Sequence, residues 1–534
     1  MKHRLLYIPI ALLFLLSFVD CAKKGMPGGG PRDSIPPRIV KSSPENYSIH
    51  FSGNEIEIRF EEYIKLKELN KELIISPPMK YTPVITPLST SKTLKIKLID
   101  TLKPNTTYTF NFGNSIVDNN EENKLSYFKY VFSTGSYIDS LKLSGRVRDA
   151  LLPTPEIPTT VMLYEVNDTY KDSIIYSEKP TYITVTQDTT GFFELTNLKE
   201  GEYLLLALKE KNNDYIFRPK DDKIGFVKET IKLPTDSTYN LTLFKETPAY
   251  KLARPSQVGR NHIVFGYEGQ VDSLDIEVIS EVPPDYSSVH FRDEVKDSIH
   301  YWFKPAIKTD TLIFKVSHAS QIDTSVVRMR ELFADSLIIT PTRTGAMKLK
   351  DTLKLRASVP LISFDSEKMQ IMDKDSSMVE GAIHLNKTFN LAEISFPKTE
   401  EQKYKVQLFP GALTDFFGRE NDTLQINVST RASSDYGTLD LSLVNVARFP
   451  VLVQLADNKF NIVAEDYLFE DRKVYFDEIQ PAKYYLRIIY DDNKNRRWDP
   501  GDFLERRQPE KVIYYPSQID VRANWSLIET FVLK

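Results

Sequence analysis

The sequence predicts an all-β protein in which tandem antiparallel β-sandwiches follow a signal peptide and a flexible tether. The first reason is length, because 534 residues are too many for one hydrophobic core. The second is periodicity, since apolar and polar residues alternate over short runs such as Ile56, Ile58 and Phe60. The third is spacing: turns rich in Asn, Asp, Pro and Gly separate these runs, and helical periodicity is scarce.

Composition excludes several classes of protein. A chain that is 41% hydrophobic and 27% charged is typical of a globular protein, not of a disordered or collagen-like one. Lys+Arg 69 against Asp+Glu 73 gives a net charge of −4, so we expect no nucleic-acid partner. The single cysteine, Cys21, excludes an internal disulfide and a Cys-based structural zinc site.

The N-terminus predicts a lipoprotein signal peptide over residues 1–20. A basic start precedes an apolar run from Leu5 to Val19, which is too short to cross a hydrocarbon core of roughly 30 Å. Cys21 follows directly, where bacterial lipoproteins carry their acyl chains, so we expect Cys21 to be lipidated. The alternative is a conventional signal peptide with an incidental cysteine, and Asp20 departs from the small residue usual at that position.

Residues 21–37 predict a flexible tether between this anchor and the folded chain. The segment is rich in Gly and Pro without an apolar pattern, and no Lys-Ser/Thr follows its glycines, as a phosphate-binding loop would require. We expect the protein to be lipid-anchored in the outer membrane. Neither the aspartate that retains lipoproteins at the inner membrane nor an acidic export signal follows Cys21, which favours the periplasmic leaflet over the cell surface.

Two pairs of internal repeats predict the order of the domains. The segment from Thr107 to Asp118 recurs about 300 residues later, from Lys403 to Asp415, and the segment that begins at Leu198 recurs at Ile479. The order is therefore two alternating kinds of module with a less distinctive β-rich domain between the pairs. We name these modules A1 (38–136), B1 (141–248), M (251–350), A2 (355–431) and B2 (436–534).

The modules carry family resemblances. Module A1 resembles a bacterial Ig-like domain of the SbsA/Big_5 type, with PPRIVKSSPENYS at its start, LKPNTTYTFNFGNSIVDNNEE before its last strands and VFSTG at its end. Module B1 resembles a transthyretin-like or carboxypeptidase-regulatory-like sandwich, with LSGRVRD and GFFELTNLKEGEYLLLAL. A2 resembles a degenerate second Ig-like domain, and B2 a C-terminal transthyretin-like sandwich that lacks the opening Gly-x-Val.

The tether joined to module A1 resembles a set of envelope lipoproteins common in Bacteroidetes. Domains of these kinds serve as spacers and adhesive modules in such families, so the resemblance implies fold and location more than activity.

Residues suited to catalysis are sparse. None of the seven histidines stands at metal-ligand spacing; His290 and His300 could meet across strands, although exposed strand positions are the ordinary outcome. Acidic pairs such as Glu61-Glu62 could serve a glycosidase, but pairs of this kind are usually solvated loop charges. We therefore expect no enzyme.

One polar loop, in module B2, has the oxygen spacing of a twelve-residue calcium loop. Counting from Asp491, acidic or amide side chains stand at positions 1, 3, 5, 9 and 12, namely Asp491, Asn493, Asn495, Asp499 and Asp502. Position six is Arg496 where a calcium loop has Gly, and Asp502 replaces the longer Glu. A structural Ca²⁺ is the only cofactor that the sequence suggests, and the alternative is that these residues form ordinary turns.

Module B1 has a related loop. Glu210, Asn212, Asp214 and Asp221 stand at matching places, but Arg218 replaces the fourth ligand, so calcium is less expected there.

The expected function is that of a non-catalytic outer-membrane lipoprotein that acts as an interaction module or scaffold in the cell envelope. Its expected partners are the membrane, through the anchor, and other envelope or outer-membrane proteins. The alternative is a carbohydrate- or peptide-binding accessory lipoprotein of an outer-membrane uptake system. A glycan ligand of that kind would need exposed coplanar aromatic rings, and Trp302, Trp498 and Trp525 are scattered along the chain.

Overall fold

A computed structural model describes residues 33–186 and 188–533. This part of the chain is almost entirely β-structure, with 42 strands, one four-residue α-helix and three short 3₁₀ helices, which confirms the all-β prediction. None of its helices is long and apolar enough to cross a membrane. The predicted signal peptide (1–20), Cys21 and most of the predicted tether (21–37) lie outside the described residues, so these predictions are not tested by the structure.

The chain forms two compact units. Of the described residues, the first contains 33–143 together with Pro180–Thr184 and Leu195–Glu200. The second contains Ser144–Lys179, Val185–Glu194 and the chain from Gly201 onwards.

Module A1 is a sandwich of two antiparallel sheets, with the orders β1-β2-β5-β4 and β3-β6-β8. Strand β7 pairs with the end of β2. The alternating residues Ile56, Ile58 and Phe60 are fully buried in the core with Phe110 and Phe132 of the second sheet. The elements are β1 (Ile39–Ser43), β2 (Glu55–Leu66), α1 (Leu69–Glu72), β3 (Ile74–Ser76), β4 (Val84–Thr86), β5 (Ser91–Lys97), β6 (Thr107–Asn111), β7 (Ile116–Asp118) and β8 (Lys129–Ser133).

Module B1 has the sheet orders β11-β10-β13-β14 and β12-β9-β16, and β15 also pairs with β13. Strand β16 runs parallel to β9. The run Leu204–Leu208 in β13 is buried at every position, as expected for a central strand that is covered on both faces. The elements are β9 (Leu141–Asp149), β10 (Thr160–Glu165), a 3₁₀ helix (Asp172–Tyr176), β11 (Tyr182–Val185), β12 (Phe192–Leu198), β13 (Gly201–Lys209), β14 (Lys223–Phe226), β15 (Ile231–Leu233) and β16 (Thr238–Leu243).

Module M is a third sandwich, with the orders β17-β19-β22-β21 and β20-β23-β24, and β18 also pairs with β19. Its core contains Phe265, Tyr301 and Phe314, whose rings meet edge to face. The strands are β17 (Lys251–Leu252), β18 (Ser256–Gly259), β19 (His262–Glu268), β20 (Asp275–Val278), β21 (Ser287–Arg292), β22 (Ser298–Lys304), β23 (Thr311–His318) and β24 (Gln321–Arg328).

Module A2 has the orders β25-β27-β31-β30 and β26-β34-β32-β29, while β28 pairs with β33. Its sheets begin at Ile339, earlier than the predicted boundary at 355, because β25 and β26 are too short to show alternation. The elements are β25 (Ile339–Pro341), β26 (Gly345–Met347), β27 (Leu353–Ala357), β28 (Leu361–Phe364), a 3₁₀ helix (Ser366–Lys368), β29 (Met369–Met372), β30 (Ala382–Asn386), β31 (Leu391–Ser395), β32 (Lys403–Leu408), β33 (Leu413–Asp415) and β34 (Leu424–Thr430).

Module B2 has the orders β37-β36-β39-β40 and β38-β35-β42, and β41 also pairs with β39. Strand β42 runs parallel to β35. The elements are a 3₁₀ helix (Ser433–Asp435), β35 (Gly437–Val444), β36 (Val451–Ala456), β37 (Ile462–Leu468), β38 (Val474–Ile479), β39 (Ala482–Tyr490), β40 (Val512–Tyr514), β41 (Ile519–Val521) and β42 (Ser526–Val532).

The sequence repeats correspond to repeated topologies. B1 and B2 have the same strand order in both sheets, including the parallel pair formed by the first and last strands. In A1 and A2 the order β1-β2-β5-β4 corresponds to β25-β27-β31-β30, and β3-β6-β8 corresponds to β29-β32-β34. Equivalent loops of the paired modules can therefore be compared position by position.

Candidate functional site

The B2 loop for which the sequence predicts calcium binding is held together by Asp491. This residue is 1% exposed and directly follows β39. Its Oδ1 accepts a hydrogen bond from the backbone N–H of Asn495 at 3.1 Å, and its Oδ2 accepts one from that of Arg496 at 2.8 Å. The hydroxyl of Tyr467 also donates to Oδ2, at 2.7 Å. Burial and this bond raise the pKa of Tyr467 to about 12. The Asp491 carboxylate therefore has a structural role in the loop.

The amide side chains of the same loop converge on Asp499. The Nδ2 groups of Asn493 and Asn495 donate to its Oδ2 at 2.8 and 2.6 Å. Glu510 holds the backbone, because its two carboxylate oxygens accept from the N–H groups of Asp492 at 2.7 Å and Asp499 at 3.0 Å. Burial raises the pKa of Glu510. Oxygen-bearing side chains thus lie together in one connected network.

Asp502, the fifth residue of the calcium prediction, makes separate contacts. Its Oδ1 accepts from the N–H of Glu505 at 2.8 Å, and its backbone forms a bridge with Arg507. Among residues 33–186 and 188–533, no group of three or more His, Cys, Asp or Glu side chains is arranged to hold a metal ion. Calcium bound with the amide oxygens of Asn493 and Asn495 stays a prediction.

The B1 loop begins in the same way but closes differently. Oε2 of Glu210 accepts from the N–H groups of Asp214 and Tyr215 at 2.8 and 2.9 Å, as Asp491 does for the residues four and five positions further on. The guanidinium of Arg218 then donates two bonds to the Asp214 carboxylate, at 2.9 and 2.6 Å. The buried Asp222 accepts from the N–H of Arg218 at 2.8 Å. The Arg218 side chain therefore supplies a positive charge inside this loop, and the neighbouring Asp221 is exposed.

The segment after the B2 loop packs against module B1, a contact that the sequence did not predict. Phe503 is fully buried, and its ring meets Phe226 edge to face with the centroids 5.3 Å apart. The N–H of Phe503 donates to Oε1 of Glu246 at 2.6 Å, and Nε2 of Gln508 donates to the carbonyl of Phe226 at 2.9 Å. Burial raises the pKa of Glu246.

Two further polar contacts join the same modules. Arg487, which is 8% exposed on β39, donates through Nη1 to the carbonyl of Leu151 at 3.2 Å, and the hydroxyl of Tyr514 donates to the same carbonyl. Arg506 forms an ion pair with Asp172. Modules B1 and B2 are therefore in direct contact, through residues that lie more than 250 positions apart in the chain.

Among the described histidines, the buried His262 and the partly buried His300 form a pair, which differs from the pair considered in the sequence. Nε2 of His262 lies 2.9 Å from Nδ1 of His300, while His290 is exposed. Burial lowers the pKa of His262 to about 3, with a further contribution from His300, and burial also lowers the pKa of His300. Asp293, whose Oδ2 lies 3.3 Å from Nε2 of His300, opposes this second shift. Trp302 stacks on His262 at 3.9 Å. Both histidines pack as part of module M.

Asp118 in A1 and Asp415 in A2 are buried and stabilise turns through hydrogen bonds to the backbone. Oδ1 of Asp118 accepts from the N–H groups of Asn120, Glu121 and Glu122, and Oδ2 accepts from that of Asn123. Burial alone would raise the pKa of Asp118, but these backbone bonds hold it below its usual value. Asp415 has the corresponding role in A2, because it accepts from the N–H groups of Phe417 and Arg419.

The three tryptophans do not form a common aromatic surface. Trp302 is 1% exposed, and Trp498 is half-buried and donates to the carbonyl of Glu510 at 3.1 Å. Trp525 is 55% exposed, with Arg522 over its ring. A sugar-binding platform built from all three rings is therefore absent.

Comparison with known proteins supports the Ig-like assignment of module A1. Residues 33–134 match the family model of a bacterial Ig-like domain, which covers about a fifth of the chain and confirms that prediction. Domains of this type suggest a structural or interaction module. A search of curated proteins found no match. The transthyretin-like resemblance of B1 and B2 stays a prediction.

A comparison with solved structures matched the chain at low identity. Domains 1–6 of the surface layer protein SbsC are 12% identical, with 91% of this chain and 67% of that chain covered and a TM-score of 0.17. The Bacillus anthracis TIE protein is 12% identical, with 95% and 76% covered and a TM-score of 0.14. At these TM-scores the similarity supports no inference about function.

Proposed function

We propose that this chain is a non-catalytic lipoprotein, anchored in the outer membrane through Cys21, whose β-sandwiches act as a scaffold or interaction module in the cell envelope. The observation that carries the proposal is how the conspicuous polar residues are used. Asp118, Glu210, Asp415 and Asp491 all accept backbone N–H groups of their own loops. Carboxylates that organise turns in this way are part of the fold and are not free for acid–base chemistry.

Contacts between modules support the scaffold role. The Phe503 segment packs B2 against B1, so these two modules are not connected through the chain alone. A fixed arrangement presents loops and sheet edges to a partner at a lower entropic cost of binding than a flexible chain would.

The anchor is argued from sequence, through the short apolar run that ends at Val19 and the single cysteine that follows it. The test is metabolic labelling with an alkyne-bearing fatty acid in a diderm bacterium. We expect label on the wild-type protein in the outer-membrane fraction, and neither label nor membrane retention for Cys21→Ser. Label that persists in Cys21→Ser would contradict lipidation at Cys21. Protease treatment of intact and permeabilised cells then distinguishes the periplasmic leaflet from the cell surface.

The scaffold role is tested by native purification from the envelope in mild detergent, with a C-terminal tag and mass spectrometry of the recovered proteins. We expect an outer-membrane protein or envelope assembly factor at near-equal amount. Recovery of the lipoprotein alone, with the Cys21 anchor intact, would contradict a stable scaffold and would favour the uptake-accessory alternative.

A further inference from the structure

A cleft of about 840 Å³ lies between modules A2 and B2, both within the second compact unit. One wall comes from residues 343–351, around β26 of A2, together with Arg431 at the end of that module. The other wall comes from the turn at 457–463 and the start of β39 in B2. A volume of this size is in the range of sites for small ligands.

Positive charge dominates the lining of this cleft. Five cationic side chains face it, against the two carboxylates Asp351 and Asp457; the cations are Arg343, Lys348, Arg431, Lys459 and Lys483. The whole chain carries a net charge of −4, so this local excess runs against the overall balance. A concave surface lined by one sign of charge concentrates ligands of the opposite sign.

Both carboxylates are already engaged. Oδ2 of Asp351 accepts from the N–H of Lys348 at 3.1 Å and lies 3.5 Å from Nη1 of Arg343. Oδ1 of Asp457 accepts from the N–H groups of Lys459 and Asn461 at 2.8 and 2.9 Å, and its Oδ2 accepts from the Asn461 side chain at 2.9 Å.

Four of the five cations form no close ion pair. In the described part of the chain, no carboxylate lies within 4.0 Å of the charged groups of Lys348, Arg431, Lys459 or Lys483, whereas Arg343 pairs with Asp351. Lys348 and Arg431 belong to A2, and Lys459 and Lys483 belong to B2, so the packing of the two modules brings the two pairs to one cleft. Anionic groups on a ligand could form close ion pairs with these four side chains.

We propose that this cleft binds an oligoanion, a chain that carries several phosphate, sulfate or carboxylate groups. Ile462, Val463 and Tyr484 contribute a less polar part of the lining, against which the uncharged backbone of such a chain can pack. The proposal goes beyond the scaffold role and does not depend on the lipid anchor. Its failure would therefore leave the proposed function standing.

The experiment is calorimetric titration of the full chain in non-ionic detergent at low salt. The probes are tripolyphosphate, a heparin-derived hexasaccharide and, as a neutral control, maltohexaose. We expect the anions to bind, with an affinity that falls as salt is added, and we expect no binding of maltohexaose. Binding of tripolyphosphate alone identifies a free small anion as the ligand, and binding of the sulfated hexasaccharide alone identifies a polymeric one. Binding of neither anion would overturn the proposal.

Matched variants locate the site. Lys459→Glu/Lys483→Glu reverses two charges in the cleft, and Lys228→Glu/Lys387→Glu reverses two exposed lysines elsewhere with the same change in net charge. We expect the first variant to weaken binding at least tenfold and the second to change it less than twofold. An equal loss in both variants would show a non-specific charge effect and overturn the proposal.

A measurement on the wild-type protein avoids any folding defect of the variants. Bound oligoanion should protect Lys459 and Lys483 from acetylation by a water-soluble reagent, while Lys228 and Lys387 react at an unchanged rate. Loss of reactivity at all four lysines, or at none, would contradict binding in the cleft.

Discussion

In module B1 an internal ion pair closes the loop after β13, and an exposed ion pair between Lys220 and Glu268 joins this loop to module M. In module B2 the equivalent loop after β39 leads into a buried aromatic contact with another module. Both loops begin with a carboxylate, Glu210 or Asp491, that accepts the N–H groups four and five residues further on. At positions five and nine of the two loops, the hydrogen-bond donor and acceptor exchange places between the modules. In B1 Arg218 donates to Asp214, and in B2 Asn495 donates to Asp499.

This difference shows how one strand framework supports two uses of a loop. The Arg218–Asp214 ion pair neutralises the B1 loop internally. The B2 loop has no arginine at the position of Asp499, and the chain runs on through Gly501 to Phe503, which packs on module B1. A Cβ on Gly501 would lie 2.5 Å from the ring of Phe244, so only glycine allows this close approach.

The largest expected effect comes from removing the contact that only B2 makes. Phe503→Ala should lower the free energy of unfolding by about 3–5 kcal/mol, because it empties a fully buried aromatic site. Differential scanning calorimetry of the full chain should show a lower Tm for the transition that involves B1 and B2. Leu504→Ala is the matched control, since Leu504 is 58% exposed. Equal effects of the two variants would mean that the contact does not couple the modules.

The carboxylates that begin the two loops, Glu210 in B1 and Asp491 in B2, should contribute differently to the free energy of unfolding. Asp491→Ala leaves the N–H of Arg496 and the Tyr467 hydroxyl without an acceptor, while the N–H of Asn495 keeps only the side-chain oxygen of Asn493, at a cost of about 2–4 kcal/mol. Glu210→Ala should cost about 1–2 kcal/mol, because it also removes Oε1, a buried oxygen with no partner among the described residues. The Tm values of both variants, compared with exposed Asp471→Ala, test this order. A greater loss for Glu210→Ala would contradict it.

The ion pair between Arg218 and Asp214 in the B1 loop should make the stability of the protein depend on pH. The hydrogen bond from Arg218 holds the pKa of Asp214 below its usual value, against the opposing effect of burial. The pair therefore contributes stability above the unfolded-state pKa of about 3.9, and this contribution is lost as pH falls through the lower folded-state pKa. The effect should be small, because both side chains are about two-fifths exposed.

Thermal unfolding between about pH 3 and pH 6 tests this assignment. Arg218→Met should reduce the fall in Tm at acid pH, and the difference from the wild type should shrink at high salt, whereas Lys228→Met should leave the profile unchanged. Identical acid profiles for wild type and Arg218→Met would show that the pair does not contribute.

The smallest expected effect tests the calcium prediction for B2. Excess Ca²⁺ should raise Tm, and EDTA should lower it, if the Asp491 loop binds calcium in the folded state only. Asn495→Asp/Asp499→Arg installs the B1 pair in B2 and should abolish that response. An unchanged Tm of the wild type in excess EDTA would contradict a stabilising calcium ion.

The sequence by itself determined the fold class, the order of the repeats and the choice of the B1 and B2 loops as candidate sites. Alternation such as Ile56, Ile58 and Phe60 identifies the buried face of a strand because side chains on a strand alternate between its two faces. The repeated segments at Leu198 and Ile479 identify strands of identical topology. The acidic and amide residues of the B2 loop were also found at the sequence level, as was the arginine that distinguishes B1.

The tertiary structure alone decided which distant residues meet. His300 pairs with His262 and not with His290, Phe503 packs on Phe226, and the lysines of the cleft come from separate segments. Periodicity specifies the face of a strand on which a residue lies, but it carries no information about which loop of another module will cover that face. The early start of module A2 at Ile339 was missed for a related reason, because a three-residue strand is defined by its partner and not by its own pattern.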